Sequence, residues 1–402
     1  MNEPKFTIVI PALNEELAIP RALQTAIEGV NRTGGNGEIL VVNGQSTDRT
    51  AEIARQMGAR VVEVVPQGLG QAYIDAIPHI RGHYVIMGDA DGTYDFREIP
   101  PFIEKLDAGY EFVMGSRLKG KIEDGAMPFA HRYIGTPIMT SMLNLLFRSR
   151  FSDINCGLRA VTLPALQKMN LQSSSWEYAS EMVLKASLLK LKSTEVPVTL
   201  RKDVPGRTPH LKTGLLTPFK AAWRNFRMMF LFAPDFVFLI PGGLLLALGL
   251  ILLLGVGLFG PVRFGGQYFD LHYVVLGSLM TLLGVQVISL GVSAKYYALV
   301  EYFRPDKVIE TLSKYFSLDR AILVGGALFL IGLVINLVIL YDWLTVGFNN
   351  QPRLREAIMA MTLMVMGAQI VFSSFFLSVL GIERNRQDIY PNGKSASSGV
   401  NR

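Results

Sequence analysis

Four long apolar stretches fill the second half of this 402-residue chain, at Phe236–Phe259, Tyr273–Leu299, Ala321–Leu344 and Ala357–Ile382. About 20 apolar residues in a helix cross the hydrocarbon core of a bilayer, so each stretch is long enough to span. Half of all residues are hydrophobic, which excludes an ordinary soluble protein. The N-terminal half reads differently. It alternates β-branched runs (Phe6–Ile10, Glu38–Val42, Arg60–Val65, Tyr84–Met87) with helical spacing over Leu17–Val30 and a helix that Ser46-Thr47-Asp48 would cap, running to Met57. Strands alternating with helices of this length predict an α/β domain with a mostly parallel, Rossmann-like sheet, in which ligands bind at the carboxyl ends of the strands.

These signals divide the chain into an α/β domain over 1–212, an interfacial helix over 213–234, an all-α membrane domain of four transmembrane helices over 235–384 and a disordered polar tail over 385–402. A further interfacial helix is expected over 129–147, where Ile134, Ile138, Met142 and Leu145 accompany His131, Arg132 and Arg148. The net charge of +6 is concentrated beside the apolar stretches, at Arg224/Arg227, Lys307/Lys314/Arg320 and Arg384/Arg386. Arg353 and Arg355 are the exception on the opposite side. By the positive-inside rule the α/β domain and both termini face the cytoplasm, and the basic excess calls for membrane lipids rather than nucleic acid. The lone cysteine, Cys156, rules out an internal disulfide and fits a reducing compartment. The five histidines have no zinc-ligand spacing.

Asp89-Ala90-Asp91 follows the run Tyr84–Met87 and Gly88. Two carboxylates one residue apart at a strand end can both reach one hard divalent cation shared with substrate phosphates. This acidic pair stands in company. Ile8-Val9-Ile10-Pro11-Ala12-Leu13-Asn14-Glu15-Glu16, Ser46-Thr47-Asp48-Arg49-Thr50, Gly68-Leu69-Gly70-Gln71-Ala72-Tyr73 and Gly115-Ser116-Arg117 accompany it in order. Together they resemble the family 2 glycosyltransferases of GT-A fold, and within them the dolichol-phosphate mannose synthase and polyprenyl-phosphate glycosyltransferase branch. The resemblance covers residue 5 to about residue 230, and the four-span tail is similar to a longer version of that branch.

The resemblance implies an inverting transfer of a hexose, mannose or glucose, from a GDP- or UDP-sugar to polyprenyl or dolichyl monophosphate at the cytoplasmic leaflet, with Mg²⁺ or Mn²⁺. It assigns Pro11, Leu13, Glu15, Asn43, Gly70, Asp89 and Glu181 to the nucleotide sugar. Asp89 and Asp91 would hold the metal, with Thr93 at the position of the family's third ligand and Asp95 as the alternative. Arg117, Arg132 and Arg207 would seat the acceptor phosphate, and Asp91, Arg117 and Arg132 would carry catalysis. The family usually has an acid where Asn43 stands and Asp/Asn-Gly where Gly44-Gln45 stands, so the base is left open between guanine and uracil. Asp153-Ile154-Asn155-Cys156-Gly157-Leu158-Arg159 matches a second-half signature in which Arg159 is structural and ion-paired. The membrane helices would anchor the chain, with homo-oligomerisation open.

A phosphate acceptor is already an anion and needs cations to position it, not a general base. A transferase to a hydroxyl would instead need Glu177 or Glu181 as base. A processive synthase would carry Gln-x-x-Arg-Trp where this chain reads Ala222-Trp223-Arg224-Asn225. A non-catalytic nucleotide-sugar sensor would have no use for the intact acidic and arginine motifs.

Overall fold

A computed structural model describes residues 3–206, 217–264, 267–302, 318–346 and 353–389. The chain separates into two compact units between Leu231 and Phe232. The first contains a seven-stranded sheet of β1 (Phe6–Ala12), β2 (Gly37–Asn43), β3 (Arg60–Glu63), β4 (Tyr84–Met87), β5 (Phe112–Ile122), β6 (Arg159–Thr162) and β7 (Ser193–Leu200), in the order β3-β2-β1-β4-β6-β5-β7. Every pairing is parallel except those of β6, which runs antiparallel to both β4 and β5. The expected mostly parallel α/β sheet is what forms. Its helices are α1 (Ile19–Arg32), α2 (Thr50–Gln56), α3 (Leu69–Ala76), α4 (Pro100–Asp107), α5 (Thr136–Phe147), α6 (Leu163–Met169), α7 (Tyr178–Leu188) and α8 (Thr217–Leu231).

β1 is buried along its whole length, as an uninterrupted apolar strand inside a parallel sheet must be. Pro11 is tolerated there for a positional reason. Strand β4 pairs only as far as Val9↔Met87, while β2 pairs on to Ala12↔Asn43. Val9 O accepts from Gly88 N–H on the β4 side, and residues alternate sides, so the missing N–H of Pro11 falls where β4 has already ended. Ser46-Thr47-Asp48 does not supply the N-cap of α2, which is Arg49 without a side-chain cap bond; Asp48, one residue earlier, instead accepts the N–H and the hydroxyl of Thr50, at 3.0 and 2.5 Å.

Among its described residues the second unit holds four helices long and apolar enough to cross a membrane, at Asp235–Phe259, Leu271–Tyr297, Leu318–Thr345 and Leu354–Leu380. A short hairpin, β8 (Val262–Phe264) and β9 (Gln267–Phe269), joins the first two. The first and second spans approach closely: a Cβ on Gly249 would overlap Thr281 N, and one on Gly284 would come within 2.5 Å of Leu246 N. Small residues allow this contact in the absence of a hydrophobic driving force between helices. Polar groups bridge the spans as well. Ser278 and Thr362 hydroxyls lie 2.6 Å apart, and Gln369 Nε2 donates to Gln286 Oε1 at 3.3 Å.

The boundaries drawn from composition shift in two places. Helix α8 belongs to the first unit, where Ser180 Oγ donates to Asn225 at 2.9 Å and Arg224 stands 3.6 Å from Glu177. The last helix continues to Ile389 rather than stopping at 384, because Arg384-Asn385-Arg386-Gln387, though polar, continues a helix at little cost. The rest of the tail, 390–402, lies outside the described residues, as do Lys307 and Lys314.

Candidate active site

Strands β1, β2 and β4 are parallel, so their carboxyl ends lie on one edge and carry the loops at 13–16, 44–49 and 88–95. The first two loops are stitched together. Asn14, at φ +52°, accepts the N–H of Thr47 at 2.8 Å and donates its own N–H to Ser46 Oγ at 2.9 Å. Glu15 N–H donates to Thr50 Oγ1, Glu16 N–H to Asp48, and Arg49 N–H to Glu16, at 2.8, 3.1 and 3.2 Å. Asparagine is one of the few side chains that accepts this left-handed backbone. Two motifs that are separate in the sequence therefore form one platform. Partial burial raises the Asp48 carboxyl, but bonds from Thr50 and the Glu16 N–H outweigh it and hold the group below the usual aspartate value.

Leu13 is exposed on this platform, while Pro11 and Glu15 are buried in it. Asn43, 2% exposed, accepts from Ser46 Oγ at 2.6 Å and donates to Glu63 at 2.5 Å. Its side chain thus braces the loop that follows β2 instead of projecting from it.

The acidic loop is built around Gly157. A Cβ there would overlap Asp89 Oδ2 and come within 2.7 Å of the Tyr94 ring, so only glycine leaves room for the carboxylate. Tyr94 accepts the Gly157 N–H at 2.8 Å, and Tyr73 donates to Gly88 O at 3.2 Å. Burial pushes the phenols of Tyr73, Tyr94 and Tyr178 upward, and the charge of Asp89 adds to this, so all three stay neutral around it. Asp91 Oδ1 accepts both the N–H and the hydroxyl of Thr93, at 3.0 and 2.6 Å. Thr93 therefore orients Asp91.

Asp95, the alternative third ligand, is held by guanidinium groups. It accepts from Arg97 Nε at 2.9 Å and from Arg201, and these bonds overcome burial to keep its carboxyl low. Among the described residues no cluster of three His, Cys, Asp or Glu is placed to hold a metal. The donor set that remains, Asp89 and Asp91, suits a hard cation that takes its other ligands from a diphosphate and water.

Arg117 rises from the same edge. Met87 of β4 and Met114 of β5 both register with Arg159 of β6, so Gly115-Ser116-Arg117, still within β5 and beyond the end of β6 pairing, passes level with Gly88-Asp89, two strand spacings or about 10 Å away. Tyr94 lies near enough to both Asp89 and Arg117 to feel their charges. Arg117 pairs bidentately with Asp153, Nε to Oδ2 at 2.7 Å and Nη2 to Oδ1 at 2.8 Å. Its side chain is 12% exposed and that of Asp153 fully buried. Burial works against the cation, but the hydrogen-bonded Asp153 carboxylate outweighs it and Arg117 stays charged.

The other expected residues fall elsewhere. Arg132 sits on the turn leading into α5, with its guanidinium 5.3 Å from the Tyr133 ring centroid. Arg207 lies outside the described residues, as does Lys212. Gly70 and Glu181 belong to one construction. A Cβ on Gly70 would overlap Ser173 O, and Gln71 N–H donates to Ser174 O at 3.0 Å. Glu181, 2% exposed, accepts the N–H groups of Gln172 and Ser173 at 3.0 and 2.8 Å and pairs with Lys185 at 2.6 Å. Gly70 therefore seats the strap at 172–175 against the start of α3, and Glu181 fastens it to α7. Arg159 has no ion-pair partner among the described residues, contrary to the expected pairing. It is fully buried, donates to Ala179 O at 2.9 Å and to Cys156 O, and lies 5.5 Å from the Tyr178 ring, so carbonyl and ring dipoles take the place of a carboxylate.

Sequence reasoning missed Arg21. Gly92, at φ +71°, follows Asp91, and a Cβ there would lie 3.2 Å from Arg21 Cδ and 3.5 Å from Val204 Cγ2. Arg21 is half-buried beside the acidic loop with no carboxylate partner among the described residues. Its only sequence signal is a cation in the first turn of α1, which acquires meaning once that turn is seen to overhang the loop.

Residues 7–169 match the profile of glycosyl transferase family 2, and residues 292–381 match the glycosyltransferase family 2 C-terminal transmembrane region. The low-salt glycan biosynthesis hexosyltransferase Agl6 of Haloferax volcanii is 34% identical over 379 residues, covering 94% of this chain and 89% of that protein. A dolichyl-phosphate hexose transferase of the same organism is 30% identical over 198 residues, 49% of this chain and 83% of its own length. Among solved structures, glucosyl-3-phosphoglycerate synthase from Mycobacterium tuberculosis superposes with a TM-score of 0.45 at 18% identity, covering 57% of this chain and 80% of that one.

Proposed function

The chain is a family 2 glycosyltransferase and an integral membrane protein, and from that premise we propose that it transfers a hexose from a GDP- or UDP-sugar to a polyprenyl or dolichyl monophosphate. One observation carries the choice of acceptor. Arg117 stands as a preorganised cation on the same edge as Asp89 and Asp91, whereas both helix glutamates that could act as a base are engaged, Glu181 with Lys185 and Glu177 near Arg224. A phosphate nucleophile needs the first and not the second. The name of the Haloferax dolichyl-phosphate hexose transferase supports the same class of acceptor.

In this reading Asp153 grips one edge of the Arg117 guanidinium, and the opposite edge is directed at the acceptor phosphate, with Arg132 and Arg207 as further contacts. Leu13 offers an apolar face to the base, while Pro11, Glu15 and the Asn43–Ser46 bracket shape the pocket around it. Gly70 and Glu181 act through the strap they hold. Asp89 and Asp91, the latter braced by Thr93, would hold Mg²⁺ or Mn²⁺, which neutralises charge on the departing diphosphate. Arg21 serves the same diphosphate from the other side of Gly92. An acceptor phosphate oxygen attacks the sugar's anomeric carbon as its bond to the donor diphosphate breaks, which inverts that carbon and releases the nucleoside diphosphate.

The catalytic unit and both termini face the cytoplasm in this proposal. The arginines that ran against the charge bias support it: Arg353 pairs with Asp342 and Glu356, and Arg355 with Asp270, so they add little net charge to their side.

The test uses purified full-length protein, Mg²⁺ or Mn²⁺, short-chain polyprenyl phosphate and radiolabelled GDP-mannose or UDP-glucose. Label from one donor is expected in the organic phase and is lost in Asp91→Asn. Label that reaches only a hydroxyl-bearing glycolipid, and depends on Glu181, would overturn the phosphate acceptor.

A further inference from the structure

A cavity of about 490 Å³ opens where the ends of α5 and α7 meet the edge strand β7. It shares no residue with the Asp89–Arg117 edge. Lys119, Arg148, Arg150 and Lys190 line it, with one carboxylate, Glu195. That carboxylate is already occupied: it pairs with Lys119 at 2.6 Å and accepts the Ser152 N–H at 2.6 Å. Arg148, Arg150 and Lys190 are exposed and have no ion-pair partner among the described residues. Helices α5 and α7 both end here, and each carboxyl terminus contributes roughly half a negative charge. Against three unpaired cations this leaves about two positive charges around one cavity, an arrangement that calls for an anion.

Helix α5 indicates where that anion comes from. Met139 and Leu143 are buried, while Ile134, Ile138 and Leu145 are exposed together with Phe129 and Tyr133 just ahead. Ile138 and Leu145 lie on one face of α5, Ile134 sits in the turn that leads into it, and Arg148 closes the helix as its C-cap. An exposed apolar stripe that ends in a cationic cavity is the arrangement of a helix lying in the bilayer interface with its cations at headgroup depth. The chain carries four spans, so a bilayer is its normal surroundings.

We propose that this cavity binds the phosphate of an anionic lipid headgroup, seated there while the α5 stripe lies in the leaflet. The inference rests on the membrane character of the chain and is independent of the sugar transfer proposed above.

The experiment uses full-length protein in detergent and dihexanoyl phosphatidylglycerol below its micelle concentration, with dihexanoyl phosphatidylcholine and inorganic phosphate as parallel probes, read by native mass spectrometry. The variant combines Arg148→Asn, Arg150→Gln and Lys190→Asn. Arg148 and Lys190 have φ of +52° and +53°, which asparagine accepts, so the fold is kept while the charge is removed. Saturable phosphatidylglycerol binding is expected, weakened roughly tenfold or more in the variant, with an unchanged melting temperature in the absence of lipid. Equal binding of phosphatidylglycerol by wild type and variant, or no preference over phosphatidylcholine, would overturn the site. Inorganic phosphate binding as tightly as the lipid would overturn the lipid assignment and leave a free-phosphate site.

Discussion

Arg117 and Asp153 are buried together, so a substitution at either acts on stability and chemistry at once. Arg117→Ala strands a fully buried carboxylate and is expected to cost about 3–5 kcal/mol in denaturant titrations. Arg117→Lys separates the two effects. It keeps the charge but loses the bidentate fork, and turnover is expected to fall about 100-fold with a smaller stability loss. Equal turnover in Arg117→Lys would leave Arg117 as a structural ion pair only. Arg21 behaves oppositely because no ion pair among the described residues depends on it. Arg21→Ala is expected to raise the donor KM about tenfold, the loss of one charge-assisted hydrogen bond, with kcat and melting temperature nearly unchanged. The motif residues at the strand ends were legible one by one, but their partners were not. Nothing in the sequence pairs Asp153 with Arg117 or Asn14 with Thr47, since those contacts span 36 and 33 residues.

Among the elements, β1 to β4 and α1 and α2 were readable because their apolar runs are uninterrupted or regularly spaced. Strands β5, β6 and β7 were not. The outer half of β5 is polar and half exposed, β6 has only four residues, and β7 contains Pro197, which an edge strand tolerates. The antiparallel direction of β6 depends on how the chain returns from α5, which no local pattern encodes. Arg201, directly after β7, pairs with Asp95 and so fastens the end of that strand to the acidic loop. Asp95 has a lowered native carboxyl pKa, so its contribution to stability is complete above the ordinary aspartate value of about 3.9 and disappears as pH falls through the lower native one. Melting temperatures followed from pH 5 downward should therefore decline less steeply in Asp95→Asn, from a lower starting value. The strap on α3 gives a steric counterpart: Gly70→Ala sets a methyl group against Ser173 O and is expected to destabilise by about 1–3 kcal/mol in the same assay.

On the scale of the whole molecule, the four spans were evident from hydropathy, but their contacts were not, because lipid-facing and helix-facing apolar residues look alike in sequence. Lys295 illustrates this. It reads as a snorkelling residue near a helix end, yet it is 5% exposed and pairs with Asp235 at the start of the first span, at 2.5 Å. Sidedness can be tested directly, owing to a property of the lone thiol. Cys156 is fully buried, and burial pushes its pKa up to about 12, so it should resist a membrane-impermeant maleimide in the folded protein. A cysteine introduced at Ser395, after the fourth span, and another at Asn349, between the third and fourth, then report opposite sides. In sealed right-side-out vesicles or intact cells, Asn349→Cys is expected to label and Ser395→Cys to label only after permeabilisation. The reverse pattern would put Asp89, Asp91 and Arg117 outside, away from the cytoplasmic supply of nucleotide sugars, and would require the positive-inside reading of Arg224, Arg227, Arg384 and Arg386 to be abandoned.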